Sequence, residues 1–97
     1  MKNFISIVIP AYNEENRIGK TLEKIIEFLS GKPYSYDIIV VDDGSSDSTS
    51  SVVESVKNVQ LSNSNLRLMK NEVNKGKGAS VKKGVLSCES DYVYFTD

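Results

Sequence analysis

Ile38-Ile39-Val40-Val41 is an unbroken run of branched aliphatic residues, closed by Asp42-Asp43-Gly44-Ser45-Ser46-Asp47. A strand with one face in water alternates apolar and polar residues, so a continuous aliphatic run demands apolar cover on both faces. A parallel sheet layered between helices meets that demand. The acids then stand at the carboxyl end of the strand. In open α/β sheets that rim is where ligands bind, and ending there in Asp-Asp-Gly-Ser supplies charge and hydrogen-bonding capacity instead of more core.

The rest of the chain alternates strand and helix periods around this run. Phe4-Ile5-Ser6-Ile7-Val8-Ile9 reads as a first buried strand stopped at Pro10; Ile18, Leu22, Ile25, Ile26 and Leu29 then recur at helical spacing, with Gly31 and Pro33 as stop signals. The acid-tipped strand covers about residues 37–42. Asp47-Ser48-Thr49 is a cap for a second helix bearing Val52, Val53 and Val56, intrinsically weak because of its β-branched and Ser content. Leu66-Arg67-Leu68-Met69 reads as a third strand, Lys77 to Ser87 as a third helix and Tyr92-Val93-Tyr94-Phe95-Thr96 as a fourth strand running into Asp97. The pattern predicts an α/β fold: a doubly wound, mainly parallel sheet with helices on both faces, in a single domain over residues 1–97.

Composition removes several kinds of chemistry. With 12 basic and 13 acidic residues, a net charge of -1 and no basic tract, there is no electrostatic case for nucleic acid as a partner. The single Cys88 and the absence of His exclude an internal disulfide, a His-based triad and a zinc cluster, leaving carboxylates, lysines and hydroxyls. Such cysteine usage suits a reducing compartment, and a cytoplasmic location is expected. No apolar stretch approaches the roughly 20 residues that span a bilayer.

The polar residues gather in loops that follow strands: Pro10-Ala11-Tyr12-Asn13-Glu14-Glu15, Asp42 to Asp47, and the terminal Asp97. A further segment, Asn74-Lys75-Gly76-Lys77-Gly78-Ala79, opens the third helix, where close backbone approach, free amides and Lys charge favour a phosphate. A nucleotide fits this set. Tyr12 offers a ring for base stacking, a carboxylate accepts from a base N–H or ribose hydroxyl, and the Lys-Gly turn neutralises phosphate. The spacing is not that of a Walker loop. Each residue also has a plainer reading. Asp42, Asp43 and Asp47 serve equally as turn and cap residues, Lys75 and Lys77 as helix-start charges, Gly76 and Gly78 as turn formers, Tyr12 as surface packing and Glu15 as a partner of the helix dipole. Cys88, the Ile18-to-Leu29 stripe and the pair Tyr92 and Tyr94 are expected to serve structure.

Taken in order, Ile7-Val8-Ile9-Pro10-Ala11-Tyr12-Asn13-Glu14-Glu15, Val41-Asp42-Asp43-Gly44-Ser45-Ser46-Asp47-Ser48-Thr49, Asn74-Lys75-Gly76-Lys77-Gly78 and Tyr94-Phe95-Thr96-Asp97 resemble four motifs of the inverting GT-A glycosyltransferases of family 2. The last looks like the approach to a metal-binding Asp-x-Asp, reaching its first Asp. Asn13 to Ile18 together with Asn74 to Ala79 is most similar to the dolichyl-phosphate β-glucosyltransferase branch, with the mannosyltransferase branch close behind. The resemblance implies a GT-A, Rossmann-like nucleotide-binding half in which Pro10, Ala11, Tyr12 and Glu14 line the nucleotide pocket and Val41 and Asp43 contact the base. It implies that Lys77 and Gly78 belong to the phosphate side, and that Asp97 binds nucleotide and metal. It further implies Mn²⁺ or Mg²⁺ as cofactor, a nucleoside-diphosphate sugar as donor (UDP-glucose favoured, GDP-mannose possible), a polyprenyl or dolichyl phosphate as acceptor, and transfer with inversion.

Catalytic domains of that family are more than twice this length. The expectation is therefore an N-terminal nucleotide-sugar-binding part of a longer, membrane-associated enzyme. Such a part holds no catalytic residue, is inactive alone and self-associates through an open sheet edge. A non-enzymatic phospho-receiver domain is the competing class, but its acidic pair belongs after the first strand, whereas here the first strand ends in Pro10-Ala11-Tyr12-Asn13. A sugar-nucleotide nucleotidyltransferase would carry a Gly-rich basic loop in that place.

Overall fold

The computed structural model describes residues 4–33, 35–59 and 65–96. The chain runs β1 (Phe4–Ala11), α1 (Ile18–Ser30), β2 (Ser35–Asp43), α2 (Thr49–Val59), β3 (Asn65–Asn71), α3 (Lys77–Leu86) and β4 (Tyr92–Phe95). The strands form one four-stranded sheet in the order β3-β2-β1-β4, and every neighbouring pair is parallel. Successive strands step outward from β1 to β3, and the chain then returns to place β4 on the far side of β1. The switch in direction lies between β1 and β4, where the carboxyl ends of strands leave a crevice in folds of this kind.

Helices cover both faces, as the uninterrupted aliphatic runs require. Ile5 and Ile9 of β1, Ile38 and Val40 of β2 and Leu66 of β3 pack beneath the α1 stripe of Ile18, Leu22, Ile26 and Leu29 and beneath Val53 of α2. The alternate residues Val8, Ile39 and Val41 face the other way, with Met69, Cys88 and Val93 around them. Ile38 through Val41 are wholly buried. The second layer is thin because α3 lies almost on the sheet: at Gly84 an added Cβ would collide with Val8 Cγ1 and crowd Val41 Cγ2. Nearer the amino ends this layer turns polar. Ser6 of β1 donates to Asp37 of β2, and Arg67 of β3 bonds Asp37 at 3.2 Å and the Ser87 carbonyl at 3.5 Å.

Strands β2 and β3 reach one to two residues beyond their aliphatic cores, since Ser35 pairs with Phe4 and Asn71 with Asp43. Tyr92 and Tyr94, expected to serve structure, stand in the paired strand β4 but are more than half exposed. They line a groove of about 630 Å³ with Ile5, Ile7, Ile25 and Phe28, between β4 and α1. Among the described residues β4 pairs with β1 alone.

Candidate nucleotide-binding site

The loops after β1 and β2 are stapled to each other. Asn13 adopts a left-handed backbone (φ 51°), which Asn tolerates better than most residues. Its amide donates to Ser45 Oγ at 2.9 Å, and its side-chain Oδ1 accepts from the Ser46 amide at 2.9 Å. The Glu14 amide donates to Thr49 Oγ1 at 2.9 Å and the Glu15 amide to Asp47 Oδ2 at 3.2 Å, while Glu15 Oε1 accepts from the Ser48 amide at 2.7 Å. Asp47 also takes the Thr49 amide and hydroxyl, so it caps α2. Burial pushes the Asp47 carboxyl up, but the Thr49 hydroxyl and amide and the Glu15 amide outweigh this and hold it below its usual value. Asp42 accepts from the Ser45 amide at 3.0 Å and from the Ser50 hydroxyl. For Asp42 and Asp47 the turn-and-cap reading therefore holds, and Glu15 serves the loops.

Asp43, one residue from Asp42 and on the opposite face of β2, grips the other crossover. Its Oδ1 accepts from Asn71 Nδ2 at 2.9 Å and from the Lys75 amide at 2.8 Å, and its Oδ2 accepts from the Gly76 amide at 2.9 Å. Asn74 Nδ2 reaches the Asp43 carbonyl at 3.3 Å. Burial pushes the Asp43 carboxyl up, yet the Lys75 amide, the Asn71 side chain, the Gly76 amide and the Ser80 hydroxyl together hold it below the ordinary value of 3.8. It is an anion fixed by donors at the end of the most buried strand. Gly44 follows with φ 72°, and a Cβ there would strike the Val73 and Asn74 backbone, so only glycine lets the two turns meet.

A cleft of about 380 Å³ opens over this junction, lined by Pro10, Tyr12, Glu14, Asp43, Asn74, Gly76 and Lys77. Five residues predicted from sequence are thus brought together: Pro10, Tyr12, Glu14, Asp43 and Lys77. Tyr12 is 49% exposed, with its ring available to a flat ligand. Ala11 instead lines, with Pro10, Glu14, Arg17 and Thr96, a smaller neighbouring cleft of about 190 Å³ at the β1–β4 switch. Glu14 lines both clefts and bonds Arg17 Nε at 2.7 Å. Strand alternation sends the Val41 side chain under α3 against Gly84, where it is fully buried, so a contact between Val41 and a base would fall to its backbone. Gly78 is exposed in the first turn of α3, one residue past the lining Lys77. Asp97 lies outside the described residues.

Sequence reasoning missed Asn71, Ser80 and Lys83, which bond one another or Asp43 from β3 and α3. The available signal was that β3, like β2, ends its aliphatic run in a polar residue.

The described residues do not make a metal centre by themselves. Among them no group of three or more His, Cys, Asp or Glu is placed to hold an ion, and Asp42, Asp43 and Asp47 are already engaged by amides and hydroxyls.

Residues 6–97 match the sequence profile described as Glycosyl transferase family 2. The chain belongs to that family. It is 42% identical over 99 residues to a dolichyl-phosphate beta-glucosyltransferase of Dictyostelium discoideum, a match covering 97% of this chain and 30% of the relative. A mannosyltransferase of Pyrobaculum calidifontis, solved with GDP-Man and Mn²⁺, superimposes with a TM-score of 0.83 over 96% of this chain and 26% of its own; at 23% identity that likeness concerns the fold. Glucosyl-3-phosphoglycerate synthase of Mycobacterium tuberculosis, solved with Mn²⁺, UDP and glucosyl-3-phosphoglycerate, is 26% identical with a TM-score of 0.75, over 98% of this chain and 33% of that one. The GT-A fold expected from the motifs is the fold observed. The chain spans about a third or less of the length of each of these proteins.

Proposed function

We propose that these 97 residues are the nucleotide-binding part of a longer glycosyltransferase that moves a hexose, glucose favoured, from a nucleoside diphosphate to a polyprenyl phosphate with inversion. The observation that carries this reading is the cleft in which an ionised, donor-fixed Asp43 stands between the Tyr12 ring and the Gly76–Lys77 turn. Tyr12 would stack on the base, and Asp43 would accept from a base N–H with the lone pairs its amide partners leave over. Lys77 and the start of α3 would face the phosphates. UDP is favoured over GDP because the relative from Dictyostelium is named a glucosyltransferase. Pro10, Ala11 and Glu14 would form the wall shared with the smaller cleft, and Val41 would support Asp43 from below.

A divalent cation, Mn²⁺ or Mg²⁺, belongs to the same proposal, with Asp97 as the ligand this sequence supplies; bound to the diphosphate it would offset charge on the leaving group. A phosphate acceptor is already anionic at neutral pH, which lessens the need for a protein base. The enzyme is proposed to work at the cytoplasmic face of the membrane that holds its acceptor; no helix among the described residues is long and apolar enough to cross one.

Titrating UDP and GDP into nitrogen-15-labelled protein tests the reading. The amides of Tyr12, Asp43, Lys75, Gly76 and Lys77 are expected to shift with UDP more than with GDP. Shifts confined to residues remote from the cleft would overturn it.

A further inference from the structure

Asn71 is 8% exposed and Ser80 wholly buried, and neither touches the cleft surface. The Asn71 side chain stands between two charges of opposite sign. Lys83 Nζ lies 3.0 Å from its Oδ1 and is fixed in turn by the Lys70 carbonyl at 2.8 Å; the Asp43 carboxylate lies 2.9 Å from its Nδ2. An ammonium can only donate and a carboxylate can only accept, so both neighbours demand the same orientation of the amide. Rotated by half a turn, the amide would oppose oxygen to carboxylate and NH₂ to ammonium. The second Nδ2 proton goes to Ser80 Oγ at 3.2 Å. Asp43 in turn holds the Lys75 and Gly76 amides.

We propose that Asn71, its orientation set by Lys83, is a positioning residue that aims the Asp43 carboxylate and through it seats the Lys75–Gly76 turn. That this shapes nucleotide binding rests on the function proposed above; the seating of the turn does not. Substitution Asn71→Asp replaces the donor with an isosteric acid. Near neutral pH two carboxylates then face each other, with Lys83 drawing the new one away, the Ser80 hydroxyl beside both, and the Lys75 and Gly76 amides on Asp43. As pH falls the pair takes up one shared proton, and an O–H donor to Asp43 is restored. Repulsion from a new acid would itself relax on acidification, so the variant that separates positioning from space-filling is Lys83→Met, which leaves Asn71 and its volume in place and removes only what orients it.

The experiment uses nitrogen-15-labelled protein, with and without UDP, between pH 5 and pH 8. In the unliganded Asn71→Asp variant at pH 8, the Lys75 and Gly76 amides should exchange about tenfold faster than in the parent, recovering toward pH 5, while Ile38 to Val41 stay protected. UDP affinity, taken relative to the parent at each pH because the terminal phosphate of UDP itself titrates at about pH 6, should fall about tenfold at pH 8 and recover in parallel. Lys83→Met, at a half-buried site on α3, removes the orienting charge without burying a new acid. It should loosen the same two amides at all pH values, which keeps the test decisive if Asn71→Asp does not fold. Unchanged Lys75 and Gly76 amides in a folded variant overturn the positioning role, even if UDP binds the parent well. Amides loosened in Lys83→Met support it, even if UDP binds no form of the protein, an outcome that would count against the nucleotide reading alone.

Discussion

The carboxyl rim and the α1–β4 flank solve opposite problems. At the rim, acids and amides from three loops are satisfied by one another, and among the described residues no buried side-chain nitrogen or oxygen lacks a partner. The flank is apolar and uncovered: Phe28, Tyr92 and Tyr94 are more than half exposed along the 630 Å³ groove, beside a strand paired on one side only. One edge of a sheet can therefore be polar and satisfied from within while the flank beside it stays apolar and exposed. The difference teaches that polar satisfaction is settled locally, between neighbouring strand ends, whereas cover for a sheet is not.

The strongest way to break this contrast is to ask whether a satisfied rim is sufficient for chemistry. The 97-residue chain should transfer no glucose from UDP-glucose to polyprenyl phosphate with Mn²⁺, whereas a full-length enzyme should, because an acceptor misplaced relative to the donor alone costs about a hundredfold or more. A radiolabelled-donor assay reads this, and turnover by the short chain refutes it.

Next in size is Asp43→Ala, which removes the acceptor of two backbone amides and one side chain. Each buried donor left unpaired costs about 1–3 kcal/mol, so UDP affinity should drop about ten- to hundredfold and the Asn74–Gly76 turn should loosen. An unchanged UDP titration would disprove the assignment of Asp43 to the cleft.

The flank is probed by Tyr94→Lys. Light scattering at high protein concentration should show self-association of the parent, through the exposed β4 edge, and a monomer in the variant, since charge on an edge strand discourages pairing. Stability should move by no more than about 0.5 kcal/mol, as for most exposed sites. A parent that stays monomeric contradicts the expected edge pairing.

The smallest effect is on pH. The Asp43 and Asp47 carboxyls sit below their ordinary 3.8, so their contribution to stability is complete above that value and drains away as pH falls beneath it through the folded-state values. Amides of Lys75, Gly76 and Thr49 should therefore lose protection in acid before Ile38 to Val41 do. Simultaneous loss would show that the rim is no separate unit.

Much of this was legible in the chain. Ile38 to Val41 and Phe4 to Ile9 could only be doubly covered strands, and the Leu22-Ile26-Leu29 spacing could only be a helix stripe. Four motifs in order disclosed the family and placed Pro10, Tyr12, Glu14, Asp43 and Lys77 at one rim. The fate of Tyr92 and Tyr94 was not legible, because alternation shows which way a side chain points but not whether anything lies there to cover it. The division of labour between the acids was half legible. A period of two sends Asp42 and Asp43 to opposite faces, but which loop each would meet depends on crossovers set by the whole sheet. Val41 was assigned to the base by resemblance, and that same period turns its side chain beneath α3, so only its backbone is left for such a contact. Asn71 and Lys83 went unnoticed because a neutral amide and a helix lysine look ordinary until they are seen to enclose a buried carboxylate.

The contact at Gly84 has a mechanical consequence. Because α3 rests there on Val8 and Val41 without a side chain between, the helix behaves as a stiff beam seated near its carboxyl end, with the Gly76–Lys77 turn, tied to Asp43 through the Gly76 amide, at its other end. Adding one methyl at the seat would tilt the beam and strain that tie to Asp43, so the aperture of a cleft at one end of the helix is gauged by a missing atom about two turns away.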